Sequence, residues 1–353
     1  MLSASYCLLK RSLCVVPVVI LLRAGPAEAH EAWLLTPDEI EALAVAPMPF
    51  VFSSLLVLGP AAVLALLVTM AALAVETRLQ PLEAEIAPTL QRLSLSVGPP
   101  ILRLGLAGML ALAGTGGLPR HGTAPWVEPT LLVPDMQLSL IPGWGGLAAV
   151  QIALATVLVL GIGTRLAGLL LVALSGLGLV LFGAAFLSYA PHFAAPGLLL
   201  AILGGGAWSV DGRRHLDQWS AALAPLARIG WHVARILIGA GFVYLAVAYK
   251  LTQPTLLIAI LDHAAFPRFG LPYPVLALIM TGVEIVCGAL LILGRLVRPV
   301  SVALLVAISF LAVTLGETPL FHANLYGVML LFLLAGASAP PVPIRREIRW
   351  GIA

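Results

Sequence analysis

Nine stretches of this chain are apolar and long enough, or nearly so, to cross a bilayer: 50–75, 100–117, 144–161, 166–187, 193–208, 231–250, 273–294, 299–316 and 323–337. A hydrocarbon core offers no water to backbone N–H and C=O groups, so a spanning segment must satisfy them itself as a helix or share them in a closed barrel. Continuous apolar runs, without the two-residue alternation of barrel strands, select the helix. The chain therefore reads as an all-α polytopic membrane protein. Composition agrees: 61% of the 353 residues are hydrophobic and 10% charged, where a soluble domain carries about 25% charged residues. The net charge of +3 comes from arginines flanking the spans and gives no argument for nucleic acid.

The spans repeat. Residues 155–171, ATVLVLGIGTRLAGLLL, return as 288–304, GALLILGRLVRPVSVAL, with Gly161 over Gly294 and Arg165 over Arg298, an offset of 133. A fixed period over more than a hundred residues marks a duplicated unit, here of four spans. The fifth and ninth stretches are both short and hold equivalent places. An even number of spans makes both copies enter with the same orientation, so the repeat is parallel, about an axis along the membrane normal. This divides the chain into a signal peptide (1–29), an outer-face amphipathic segment (30–48), a first transmembrane helix (49–76), two four-helix repeats (99–208 and 229–337) and a tail (338–353).

The signal reading rests on Lys10 and Arg11, the apolar run 13–22 and Ala27-Glu28-Ala29 as an A-x-A cleavage site. Arginine placement sets the orientation. Arg78, Arg92, Arg165, Arg213, Arg228, Arg295 and Arg298 fall on one side and Arg120 and Arg268 on the other. The positive-inside rule then puts the mature N-terminus outside and the C-terminus in the cytoplasm of a bacterial inner membrane. Before the first span, Thr36-Pro37-Asp38-Glu39 forms a helix start with a capping box, and Leu35 and Ile40 form its hydrophobic staple. This predicts a short amphipathic helix on the outer surface. Removing residues 1–29 leaves Cys287 alone, which argues against thiol–disulfide chemistry.

Ionisable residues are scarce within the spans, and two stand out: Glu284 midway along the seventh, and Lys250 at the end of the sixth. Charges at membrane depth face a bundle interior and pair, because hydrocarbon does not solvate them. Glu284 is expected to face inward with Lys250 as its partner, either as a packing pair or as a proton or quinone site. At an offset of 133 the first copy has Gln151, and around the Lys250 equivalent it has Gly114-Thr115-Gly116-Gly117. Both charges vanish together, so the first copy reads as structural and chemistry is expected in the second.

Five histidines (His30, His121, His192, His263 and His322) are expected on the outer face. Neutral imidazole is a common metal ligand, and a chain starting at His30 would offer an α-amine and an imidazole to Cu(II). His30, His121 and His192 are the metal candidates, although no pair has the short spacing of a metal motif.

Gly241, Lys250, Gly270, Glu284, Gly288, Gly294, Arg298 and His322, in the frame of residues 230–337, resemble the DoxX family of four-span membrane proteins. Residues 100–208 resemble it faintly, without the Lys or Glu. The resemblance implies a four-helix bundle, and relatives include the membrane subunit of a thiosulfate:quinone oxidoreductase. The expectation is a redox or respiratory, quinone-linked membrane subunit with a protein partner, accessory rather than a stand-alone enzyme. In it Glu284 would relay a proton, Lys250 balance it and His322 lead to the outer face. The alternatives are a periplasm-facing copper-handling protein using His30, and a membrane scaffold without a small ligand.

Overall fold

The computed structural model describes residues 34–118, 128–206, 208–213, 220–316 and 319–338. Among them it is helical throughout, apart from one isolated β-bridge between Thr130 and Gln137. The helices are α1 (Pro37–Ala44), α2 (Leu55–Thr115), α3 (Leu147–Leu160), α4 (Thr164–Phe182), α5 (Ala190–Leu203), α6 (Ser220–Leu245), α7 (Pro254–His263), α8 (Tyr273–Leu293), α9 (Val297–Thr314) and α10 (Ala323–Ala335). Five helical segments have the length and apolarity to cross a membrane: Leu55–Thr115, Thr164–Phe186, Pro225–Leu251, Tyr273–Leu293 and Val297–Thr314. The signal peptide, His30, His121 and the tail lie outside the described residues.

The sequence reads as two separate spans near 50–75 and 100–117, yet one helix of 61 residues runs through both. Residues 76–97 are rich in Leu, Ala, Glu, Gln and Arg and lack glycine, which favours helix between the prolines at 81 and 88. The helix nevertheless reverses direction. Phe52, just before it, packs with Leu261, Tyr273 and Ala277 at the start of α8. Glu76 accepts from Arg295 Nε (2.5 Å) and Leu296 N–H (3.1 Å) just past the end of α8, and Glu83 pairs with Arg298. Gly98 then faces Leu331, and Gly105 faces Ala323 and Gly327, so the last stretch climbs back antiparallel to α10. Pro81, Pro88, Pro99 and Pro100 lie within this return; each removes a ladder hydrogen bond and permits a bend.

The two copies are not packed as separate bundles. The second half of α2 pairs with α3, and α6 pairs with α8. The last helix of each copy lies on the first helix of the other, α5 on α6 and α10 on α2. One hydrophobic core, from Leu102 to Ala335, results. Glycines permit the closest crossings. A Cβ on Gly239 would stand 2.5 Å from Gly288 O, and one on Gly288 2.6 Å from Gly239 O.

Four arginines make corresponding contacts in the two halves of the chain. Arg103 donates to Leu158 O (2.7 Å), Val159 O (3.2 Å) and Trp208 O (2.9 Å). Arg235 donates to Leu291 O and to Ile292 O (3.1 Å). Arg165 donates to Ala201 O (2.8 Å) and Ile202 O, and Arg298 to Leu333 O (2.9 Å) and Leu334 O (3.1 Å). Each guanidinium thus meets carbonyls in the last turn of a helix, where the negative end of the helix dipole favours a cation. Arg103 and Arg235 stand 132 apart, and their acceptors 133 apart. Both lie inside apolar stretches, so a search confined to span-flanking arginines passes over them.

The N-terminal segment carries the expected capping box. Glu39 N–H donates to the Thr36 hydroxyl (3.3 Å), and Thr36 N–H to Glu39 Oε2 (2.8 Å). The staple residues Leu35 and Ile40 pack on Leu256 and Ile260 of α7, a helix that the apolar pattern did not separate. Thr255 donates to Leu43 O (3.0 Å), and His263 Nε2 lies 3.2 Å from Glu39 Oε1. The Thr36 backbone and hydroxyl bonds, with His263, hold the Glu39 carboxyl below its usual value of 4.5. The ionised form is the one stabilised by folding, so its contribution is complete above about pH 4.5 and is lost as pH falls through the lower folded value. The protection factors of the amides of 36–44, corrected for the intrinsic pH dependence of exchange, are expected to be lower below pH 4 than at pH 7. Equal protection at both would show that the carboxylate does not hold α1 in place.

Candidate functional site

A single turn of π-helix, Ala246–Leu251, follows α6 and carries Lys250. One extra residue per turn leaves backbone groups out of the α ladder and re-aims side chains, which is why such turns mark functional positions. Here it brings Lys250 Nζ onto Glu284 Oε1, from the middle of α8. Both side chains are 16% exposed. The pair expected from sequence is formed, and both members line one cavity.

That cavity has a volume of about 200 Å³ and lies between the copies. Its walls are mostly apolar, with Phe193, Phe242, Leu257, Met280 and Phe321 among them, and its polar groups come from both copies. The second supplies Lys250, Glu284, His322 and Asn324; the first supplies Asp135, Tyr189 and His192. Tyr189 donates to Asp135 Oδ2 (2.5 Å), and Asn324 donates to His192 O (3.3 Å). His192 is 6% exposed, with its ring 5.4 Å from that of Phe242. A Cβ on Gly241 would lie 2.8 Å from His192 Nε2, so this glycine makes the room in which the imidazole sits. Glu284 Oε2 and His192 Nε2, buried atoms of cavity residues, make no hydrogen bond among the described residues.

The reading of the first copy as purely structural holds for Gln151 and not for its surroundings. Gln151 is fully buried, accepts from Leu132 N–H (2.9 Å) and donates to Thr130 O (2.7 Å). Where Glu284 pairs with a lysine, its counterpart pins a loop instead of bridging two helices. Leu132, held at φ 67°, lies in that loop, which delivers Asp135 to the cavity. A loop of this kind carries no periodicity, so neither Asp135 nor its partner Tyr189 is visible in sequence; the π-turn likewise leaves no compositional mark. Gln151→Leu removes both bonds and leaves a buried N–H and C=O without partners, a loss of about 2–3 kcal/mol. The expected result is faster exchange at the Leu132 amide and a lower melting temperature, with the α8 amides unaffected. An unchanged Leu132 amide would refute the clamp.

Of the metal candidates, His192 is the one among the described residues, and there it packs against Gly241 and Phe242. No group of three or more His, Cys, Asp or Glu side chains with metal-holding geometry occurs among the described residues. Cys287 is buried and makes no disulfide.

Residues 230–317 match the DoxX family model. The match takes in α6 to α9 with Lys250 and Glu284, and stops short of His322 and α10. Asp135, Tyr189 and His192 also lie outside it. No curated protein and no solved structure matches the chain.

Proposed function

We propose that this is a quinone-linked, redox or respiratory subunit of a bacterial inner membrane, with the cavity between its copies as the ring-binding site. The observation that supports this most is the Lys250–Glu284 pair set in the wall of an apolar, aromatic-lined cavity. A charge pair at membrane depth is sustained where it has a task or a tightly made partner, and an apolar pocket with few convergent polar groups suits a lipid-soluble ring. In this reading Lys250 donates to a ring oxygen and Glu284 exchanges a proton with it. His322 carries that proton toward the end of the bundle where α1 and α7 pack, the outer face on the positive-inside rule. The protein works with a partner that supplies or removes the electrons.

An azido-quinone photoprobe in native membranes tests this. Labelling is expected to concentrate on cavity residues, Phe193, Phe242 and Met280 above all, and to fall at least about tenfold in Lys250→Met, the worth of one hydrogen bond from a charged group to the ring oxygen. Labelling spread evenly over the lipid-facing sides of α4 and α9 would overturn the reading, as would unchanged quinone-linked activity in a normally expressed Glu284→Gln protein.

A further inference from the structure

The proposed ring site has an asymmetry that says which oxygen group it is built to hold. Glu284 uses Oε1 for Lys250, while its buried Oε2 makes no hydrogen bond among the described residues. Paired with an ammonium, this carboxylate is ionised and can only accept. Lys250 beside it has three N–H donors and can only donate; one is directed to Oε1. His192 Nε2, buried and also without a hydrogen bond among the described residues, takes either role according to its tautomer. An isolated buried acceptor is unfavourable by more than a typical hydrogen bond contributes, and more so when charged. The ligand atom that meets this pair must therefore donate to Oε2 and accept from Nζ at once. A carbonyl or ether oxygen accepts only. A hydroxyl does both.

We infer that the cavity selects a phenolic head group, such as a phenol or the hydroquinone form of a ring. Its O–H would be donated to Glu284 Oε2 and its oxygen would accept from Lys250, with the ring among Phe193, Phe242 and Met280. This rests on the ring-binding reading above and sharpens it, because it assigns the tighter binding to the hydroxyl form over the carbonyl form. It also gives His192, from the first copy, a part in holding any second hydroxyl across the ring.

Binding of 4-butylphenol and of its methyl ether, 4-butylanisole, to the purified full-length protein in detergent separates the possibilities. In the second a methyl group replaces the donating hydrogen, and neither undergoes quinone redox chemistry. The phenol is expected to bind at least about tenfold more tightly, the worth of one hydrogen bond to a charged group. In Glu284→Gln, whose amide can turn a donor toward the ligand, that ratio is expected to fall toward one. Equal binding of the two compounds to the wild-type protein overturns the inference and leaves the quinone reading standing. A tenfold phenol preference without azido-quinone labelling of the cavity supports the inference and overturns the quinone reading. The wild-type ratio decides even where the variant does not fold, and a preference that survives intact in a folded Glu284→Gln protein overturns the assignment to this carboxylate.

Discussion

Glu284→Ala is expected to lower the stability of the detergent-purified protein by about 3–5 kcal/mol, while the double replacement Lys250→Met with Glu284→Leu stays within about 1 kcal/mol of wild type. The single change leaves Lys250 buried to 16% exposure with its charge uncompensated. The double change removes both charges and puts apolar volume into an apolar wall. Denaturant or thermal unfolding of the three proteins measures the stability side. Activity separates the roles: a site loses ligand binding in both variants, whereas a pair that only packs helices regains full phenotype in the double variant. Recovery of quinone labelling and of phenotype in Lys250→Met/Glu284→Leu would leave the scaffold interpretation in possession.

The second large effect concerns the arginines. Arg103→Ala and Arg235→Ala are each expected to destabilise by about 2–3 kcal/mol, since each removes a buried guanidinium's bonds and leaves Val159 O or Ile292 O near a helix end without that donor. Arg103 is 2% exposed and Arg235 6%, so water does not readily replace the guanidinium. Lysine is expected to restore less than half of the loss, because one ammonium cannot span the carbonyls that the planar fork reaches together. The glycines that face them are tied to the same geometry. Gly161 and Gly294 take φ of 66° and 71°, and a Cβ on either would stand 2.5 Å and 2.6 Å from a guanidinium nitrogen. Alanine at these positions would strain the backbone and displace the arginine together. Full stability of either Arg→Lys variant, by thermal unfolding, would contradict the bidentate clamp.

Much of the architecture is legible in the sequence. The spans, the offset between Gly161 and Gly294, the capping box at Thr36 and Glu39, and the partnership of Lys250 with Glu284 all follow from periodicity, spacing and the unfavourable burial of unpaired charge. These are local signals, or pairings forced by a medium that cannot solvate them. The helix through 76–97 is different. Its propensity is readable, but its reversal depends on where Glu76 and Glu83 find Arg295 and Arg298, a relation between distant segments. Arg103 and Arg235 were readable in principle, as charged residues 132 apart within apolar runs.

By itself, then, the sequence determined that the chain is a helical membrane protein, with a 133-residue spacing between similar segments and a Lys–Glu pair in the second of them. Apolar length and period are enough for that, because the bilayer leaves the backbone few alternatives. Only the tertiary structure decided that each copy lays its last helix on the first helix of the other, and that the cavity is completed by Asp135, Tyr189 and His192 from the copy that lacks the Lys–Glu pair. Close packing is set by the shapes of surfaces far apart in the chain, and a loop pinned by one buried glutamine carries no period by which it could be found.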